Sequence, residues 1–243
     1  MKKFDIVVVG GGHAGIEAAS AGARMGCSVG LITMDRYALG RMSCNPAIGG
    51  TAKGHLVREI DALGGIMGQI ADNTGIQFRM LNRSKGPAVW SPRCQSDRVL
   101  YSEEAYRIIS KTENLEIVEG SAVEVLTENG KVIGVNNSDG EVVYSKALVL
   151  SSGTFLNALM HTGLNKTTGG RFGEQPAIGI TESLANLGFD HGRLKTGTPP
   201  RLKKDSINWS ILEEQPGDEN SKPFSHQTDV SKFPFLRLFA FNA

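Results

Sequence analysis

The sequence has few cysteines, and they form no recognised pattern. Cys27, Cys44 and Cys94 are the three present, and they show neither the spacing of a zinc site nor a Cys-x-x-Cys motif. We therefore predict neither a domain held together by disulfides nor a cysteine-based metal site. The cysteine content instead predicts a reducing, cytoplasmic location. In that environment any special cysteine is expected to be reactive rather than structural.

The sequence also lacks a long apolar run and a substantial net charge. No stretch approaches the roughly 20 apolar residues that a membrane-spanning helix needs. Residues 4–9 already have the composition of a strand, so no signal peptide is predicted either. The formal net charge of +1 gives no global nucleic-acid signature, so such binding would depend on local basic patches.

Glycine is abundant, with 30 residues, and the first glycines form a motif. Residues 4–9 are typical of a central parallel strand, and residues 16–25 are typical of a helix. Between them, Gly10, Gly12 and Gly15 satisfy Gly-x-Gly-x-x-Gly, which provides a tight turn, room for a pyrophosphate and close helix–strand packing. A second strand at residues 27–33 completes a βαβ unit. The pattern predicts a dinucleotide site, with a ligand-free glycine turn as the alternative.

Asp35 is a candidate for binding the ribose of that dinucleotide. The second strand of such a unit usually ends in an acid that holds the ribose hydroxyls. Asp35 lies one or two residues past the expected place. It is therefore either a ribose ligand or a solvated loop acid, and the sequence favours neither.

The next part of the chain contains a long loop and a basic stretch. The loop of residues 40–54 is longer than most strand–helix connections, which favours a functional role for it. A helix is predicted over residues 55–63, and an irregular basic stretch over 77–98. Asp97 is expected to cap a helix over 98–111, with apolar side chains turned inward at positions 100, 101, 105, 108 and 109.

Residues 115–150 switch to strand periodicity. Strands are predicted at 115–118, 121–127, 131–135, 141–144 and 147–150, with a hairpin turn at Asn129-Gly130. A helix is predicted over 178–187. A βαβ unit, an inserted meander and a returning parallel strand resemble the order in two-dinucleotide-binding-domain flavoproteins, which favours FAD over NAD. The predicted fold class is α/β: a Rossmann-like FAD-binding core with an inserted antiparallel β-meander, incomplete at this length.

Several stretches together resemble the amino-terminal part of one enzyme family. This is the MnmG family, also called GidA, of flavin-dependent tRNA uridine 5-carboxymethylaminomethyl modification enzymes. The resemblance extends from about residue 4 to about residue 223. It is carried by residues 10–15, 43–50, 53–57, 75–79, 84–89, 153–156 and 192–201.

The resemblance implies an activity and its partners. Family members are homodimers that act with the GTPase MnmE on the wobble uridine of certain tRNAs. Methylene-tetrahydrofolate supplies one carbon, and glycine or ammonium supplies the amine. FAD, with NADH as reductant, serves the redox step.

The resemblance also implies site residues. Cys44 matches a cysteine considered for covalent attack on the uracil ring, although it could instead line the flavin pocket. Val123 and Ala177 match FAD contacts, and Gly153 lies in the turn after the returning strand. The FAD pyrophosphate is expected at Gly10, Gly11, Gly12, His13, Ala14 and Gly15. The residues expected to bind tRNA phosphates, unless they are only solvated, are Arg83, Lys85, Arg193, Lys195, Arg201, Lys203 and Lys204.

Residues 1–200 are expected to be part of the FAD domain, and residues 201–243 the start of an inserted NAD or substrate domain. Family chains are more than twice as long. Residues 231–243 depart from the family's segment with a second cysteine, which suggests a truncated or frameshifted end. The alternatives are a folate- and flavin-dependent tRNA uridine methyltransferase, a pyridine-nucleotide disulfide reductase and an inactive FAD-binding fragment.

Overall fold

The computed structural model describes residues 2–42, 45–171, 173–197, 202–233 and 239–242. Cys44 and Arg201, two of the predicted site residues, lie outside the described residues. The chain divides into two compact units. The first consists of Met1–Arg41 and Ala105–Leu194, and the second of Met42–Glu104 and Lys195–Ala243. Among the described residues, no helix is long and apolar enough to cross a membrane.

The strands and helices follow in chain order. The strands are β1 (Lys2–Val9), β2 (Val29–Thr33), β3 (Ala47–Gly49), β4 (Gly75–Leu81), β5 (Ser91–Ser96), β6 (Leu115–Glu119), β7 (Ala122–Glu128), β8 (Lys131–Asn137), β9 (Val142–Leu150), β10 (Leu159–Thr162), β11 (Asn165–Thr168), β12 (Glu213–Pro216) and β13 (Phe239–Asn242). The helices are α1 (His13–Arg24), α2 (Lys53–Ala62), α3 (Met67–Thr74), α4 (Arg98–Ile109) and α5 (Ile180–Asn186).

The first unit is built on a six-stranded sheet in the order β6-β2-β1-β9-β8-β7. The first four strands in this order pair in parallel, and β8 pairs antiparallel with both β9 and β7. The chain builds outward from β1 through β2 to β6 and then returns to the other side of β1 as β9. The predicted α/β class with a parallel core is therefore confirmed. The carboxyl ends of β1 and β9 lie side by side where the strand order reverses, which is where such sheets bind ligands.

The apolar residues of β1 and β2 are largely buried, whereas Val149 and Leu150 at the end of β9 are each 37% exposed. Helix α1 buries Ile16, Ala19 and Ala23. A cluster on the sheet includes residues from β1, β2, the meander and α5. Its buried members are Phe4, Val7, Val9, Ile32, Val118, Ala122, Val125, Val135, Val143 and Ile180. The continuous apolar runs of β1 and β2 are thus explained by coverage on both faces.

The meander agrees with the prediction except at its last strand. Asn129 and Gly130 have φ of 51° and 74°, as a two-residue hairpin turn requires, and Glu128 pairs with Lys131. The two strands predicted at 141–144 and 147–150 are one strand, β9. The polar residues between them do not interrupt it, because Ser145 pairs with Phe4 in the ladder and Lys146 forms an ion pair with Asp5.

The second unit contains a three-stranded antiparallel sheet in the order β3-β5-β4, with α2 and α3, and a separate β12–β13 pair. The prediction that residues 77–98 are irregular is wrong, because most of β4 and all of β5 lie there. Gly86-Pro87 does break regular structure, but within the connection between the strands. Pro92 is accommodated within β5, opposite Met80.

The helix after residue 97 is confirmed, with one error in its buried face. Asp97 Oδ1 accepts hydrogen bonds from the backbone N–H groups of Val99 and Leu100, as a cap should. Tyr101 is buried, but Leu100 is half exposed and was predicted to face inward. The prediction that residues 201–243 begin a second functional domain stays a prediction.

Candidate cofactor site

The glycine turn after β1 is shaped by backbone contacts that exclude side chains. Gly10 has φ of +107°, and a Cβ there would lie 2.5 Å from the carbonyl oxygen of Ser151. At Gly15, in the first turn of α1, a Cβ would lie 1.7 Å from the carbonyl oxygen of Gly10. Both glycines are therefore required by the fold itself, the first for the turn and the second for helix–strand packing.

Gly12 differs from its neighbours because the fold does not require it. Its φ of −72° and ψ of −175° are accessible to any residue, and a Cβ there would meet no atom of the described residues within 4 Å. Gly12 is also the N-cap of α1, which has no side-chain cap and no acidic residue in its first turn. This helix end therefore presents positive partial charge to open space, which suits an anion such as a pyrophosphate.

The turn after β9 lies next to the glycine turn. The backbone N–H of Ser151 donates to the carbonyl oxygen of Val9 at 2.8 Å, and its Oγ donates to the same oxygen at 2.9 Å. Gly153, with φ of +62°, also borders open space. Gly153 therefore lies two residues after Ser151, which contacts the end of β1 next to the Gly10 turn.

Ser152 was missed by the sequence reasoning. Its Oγ is shielded from solvent and has no hydrogen-bond partner among the described residues. A shielded hydroxyl without a partner is costly unless a ligand or a water supplies one. No sequence signal marks this serine beyond its place between β9 and Gly153.

Val123 and Ala177 lie on segments that the structure connects to these turns. Ala177 N–H donates to Phe155 O at 3.0 Å, and Ala177 O accepts from Asn157 N–H at 2.9 Å. Gly179, two residues later, packs so closely on Val123 that a Cβ would lie 2.4 Å from the Val123 carbonyl oxygen. The two residues are therefore held by α5 and the segment after Gly153, and their contact with FAD stays a prediction.

Asp35 has its carboxylate already occupied. Oδ1 accepts from Tyr37 N–H at 2.8 Å, which caps the short 3₁₀ turn Arg36–Ala38. Oδ2 accepts from Arg41 Nη2 at 3.2 Å. These contacts give Asp35 a structural role in the loop after β2. Its predicted role as a ribose ligand stays a prediction.

Arg41 connects that loop to the segment around Glu174. Its Nη1 lies 2.9 Å from Glu174 Oε1, which also pairs with Arg171 at 3.1 Å. The guanidinium of Arg171 lies 5.5 Å from the centre of the Phe155 ring. The residue before Arg41, Gly40, donates its N–H to Gly11 O at 2.8 Å. These contacts hold the loops around the carboxyl end of β1, and Arg41 and Glu174 were not predicted as site residues.

The described residues after Cys44 are fixed to the sheet of the second unit. Asn45 Oδ1 accepts from Gln95 Nε2 at 2.9 Å, and Pro46 O accepts from Ser96 N–H at 2.7 Å. Lys53 donates to Ala47 O at 3.1 Å, and burial lowers the pKa of its ammonium group.

The predicted phosphate-binding residues differ in whether another residue of the protein already binds their side chains. Arg83 pairs with Asp218 at 2.6 Å, and Arg193 donates to Asn157 O at 3.0 Å. The other described members, which are exposed, are Lys85, Lys195, Lys203 and Lys204. Among the described residues no group of acids, histidines and cysteines could hold a metal ion.

Cys94 is a buried thiol that we expect to be unreactive in the folded chain. It is fully buried, its Sγ donates to Ala71 O at 3.4 Å, and burial raises its pKa to about 12. At pH 8 only about one part in ten thousand would be thiolate. We therefore expect iodoacetamide to leave Cys94 unlabelled in the folded chain and to label it in urea, as measured by peptide mass spectrometry. The half-buried Cys27 is the comparison. Rapid labelling of Cys94 in the folded chain would contradict this expectation.

Comparison with known proteins identifies the family of the chain. The sequence model of the family described as "Glucose inhibited division protein A" matches residues 5–237. The tRNA uridine 5-carboxymethylaminomethyl modification enzyme MnmG of Thermodesulfovibrio yellowstonii is 55% identical over 227 residues, covering 93% of this chain and 36% of that protein. The MnmG of Protochlamydia amoebophila is 52% identical over 238 residues, covering 98% of this chain and 38% of that protein.

Solved structures agree. GidA of Aquifex aeolicus superposes with a TM-score of 0.90 at 48% identity, over 93% of this chain and 38% of that chain. A GidA-related protein from Thermus thermophilus shares the fold, with a TM-score of 0.55 at 21% identity, over 88% of this chain and 72% of that chain. The chain spans somewhat more than a third of the length of the MnmG relatives. On this evidence of sequence and structure, the chain belongs to the glucose inhibited division protein A family, GidA or MnmG.

Proposed function

We propose that this chain carries the FAD-binding part of an enzyme that modifies tRNA uridine with a 5-carboxymethylaminomethyl group. The proposal rests on the open space at Gly12, which lies at the uncapped start of α1. The relatives of the chain are named for that modification. The fold does not require a glycine at position 12, and the space beside this residue can hold a ligand group.

The residues around this space fit FAD. The N-terminus of α1, with Gly10–Gly15, would hold the pyrophosphate through backbone N–H groups. The Ser152 hydroxyl, which has no partner among the described residues, would gain one from a bound ligand. Asp35, Gly153, Val123 and Ala177 are proposed as further contacts. When bound, FAD would supply the redox chemistry of the modification.

The remaining participants are proposals drawn from the family. They are tRNA as substrate, methylene-tetrahydrofolate as carbon donor, NADH as reductant, MnmE as partner, a homodimer as the assembly and the cytoplasm as the location. A second candidate function is an FAD-binding segment without turnover. It is favoured by the coverage, since the chain spans only 36–38% of the MnmG relatives.

An FAD titration beside a turnover assay tests both candidates. Saturable flavin binding to the 243-residue chain, followed by flavin fluorescence, is expected if the proposed cofactor site is correct. Modification of a tRNA by the same chain with methylene-tetrahydrofolate, NADH, glycine and MnmE would support the full activity. Flavin binding without modification would support the second candidate, and absence of flavin binding would overturn both.

Lys203 and Lys204 test the proposed tRNA contact. Both are exposed, and each phosphate contact contributes about 0.7–0.9 to the slope of log affinity against log salt. In a full-length protein with this sequence, Lys203→Glu with Lys204→Glu should weaken tRNA binding at least about tenfold and lower that slope by about 1.5. Filter binding over a salt series measures both. Unchanged affinity and slope would show that the two lysines are only solvated.

Cys44 is proposed as the nucleophile, with lining of the flavin pocket as the alternative. A thiolate adding to the uracil ring would activate the neighbouring carbon, which is covalent catalysis. Cys44→Ser in a full-length protein with normal FAD content should therefore reduce tRNA modification at least about a thousandfold, because a serine hydroxyl is a much weaker nucleophile. Mass spectrometry of tRNA nucleosides measures the product. Near-normal modification would remove Cys44 from the chemistry.

A further inference from the structure

We propose that the loop between β4 and β5, residues 82–90, binds single-stranded RNA and that the Trp90 indole is its base-stacking surface. We call this segment the 82–90 loop. The inference rests on the proposed function in tRNA modification and deepens it, because it names a residue that would contact an unpaired base.

The Trp90 side chain is held in place while much of its ring surface faces solvent. Its Nε1 donates to Arg83 O at 3.2 Å, so the polar edge of the indole is satisfied inside the protein. Yet 42% of the residue is exposed, as is 40% of the adjoining Val89. Large aromatic side chains are usually well buried, and an immobilised but exposed ring is suited to recognising another flat ring.

The 82–90 loop is already ordered. Asn82 Nδ2 donates to Val89 O and to Thr51 Oγ1, each at 3.2 Å. Two positive-φ residues, Asn82 at 60° and Gly86 at 96°, form its turns. Further backbone hydrogen bonds connect Lys85 to Asn82 and Val89 to Gly86. Because these contacts fix the loop, a ligand would lose little affinity to ordering it.

The 82–90 loop carries two basic side chains. Arg83 and Lys85 lie in the 82–90 loop, which contains no acid. Asp218, which is largely buried, accepts from Met80 N–H and pairs with Arg83, whose side chain remains 59% exposed. Lys85 forms no ion pair with any described residue. Cations beside an exposed aromatic ring are the combination by which proteins bind single strands, since phosphates contact the cations and bases stack on the ring. A duplex keeps its bases stacked internally and would leave the ring unused.

Tryptophan fluorescence tests the proposal directly, because the chain has only two tryptophans. A Trp209→Phe variant leaves Trp90 as the single reporter. Titration of this variant with a single-stranded oligouridine should quench the fluorescence saturably, whereas a duplex RNA of equal charge should not. In the same background, Trp90→Ala should weaken oligouridine binding at least about fivefold and Trp90→Phe much less, in line with a stacked base. Lys85→Ala should lower the salt slope by about 0.7.

The possible outcomes separate this inference from the proposed function. Oligouridine binding with no quenching, and with affinity unchanged in Trp90→Ala, would overturn the stacking role of the ring. Equal quenching by duplex RNA would overturn the preference for single strands. The Trp90→Phe variant and the quenching itself remain informative if Trp90→Ala does not fold. FAD binding without RNA binding would overturn only this inference, whereas loss of FAD binding is the failure of the proposed cofactor site.

Discussion

A Gly12→Val chain is expected to bind FAD up to about a hundredfold more weakly than the unchanged chain while it keeps its fold. The Gly12 backbone conformation suits any residue, and within the described part of the chain a Cβ there meets no atom closer than 4 Å. The added side chain would instead occupy the space proposed for the pyrophosphate. Steric crowding of that kind costs up to about 3 kcal/mol, which corresponds to about a hundredfold in affinity.

Flavin fluorescence titration measures the affinity, and circular dichroism during urea unfolding verifies the fold. Gly192→Val is the matched control, because Gly192 also has open space around its Cβ and no left-handed backbone. The control should bind FAD normally. Equal FAD affinity in the Gly12→Val chain would show that no ligand group lies at this turn.

The sequence predicts the parts of this site that depend on local signals. Gly10 and Gly15 stand in a strand–turn–helix context, and the structure gives each the close backbone contact that the motif implies. Asn129-Gly130 likewise specifies its own hairpin through backbone conformation. Such patterns require residues only a few positions apart, and a single sequence shows them directly.

The sequence could not predict the parts that depend on distant partners. Arg41 and Glu174 are 133 positions apart. Their ion pair exists only because the loop after β2 and the segment around Glu174 meet at one end of the sheet. The Ser152 hydroxyl stands out only because it is shielded and lacks a partner among the described residues, which a sequence cannot show. β5 was missed because a proline within it resembles a break, although Pro92 is accommodated opposite Met80.

A Gly15→Ala chain is expected to lose at least about 3 kcal/mol of its free energy of unfolding. Alanine in a helix normally gains about 1 kcal/mol over glycine. Here its Cβ would lie 1.7 Å from the carbonyl oxygen of Gly10 and 2.8 Å from Ser151 Oγ. The nearest atom is backbone, so α1 must move away from β1 or the turn must deform. The steric cost therefore exceeds the gain in helix propensity.

Urea unfolding followed by far-ultraviolet circular dichroism measures this loss, and Gly12→Ala is its control. Both substitutions add one methyl group within the same turn, but only the one at position 15 meets protein atoms. The Gly12→Ala chain should lose no more than about 1 kcal/mol, because alanine is a poorer N-cap residue than glycine. Equal stability of the two variants would mean that α1 can shift from β1 without cost. In that case Gly15 would not be required by helix–strand packing, and its place in the motif would have to be explained by the ligand alone.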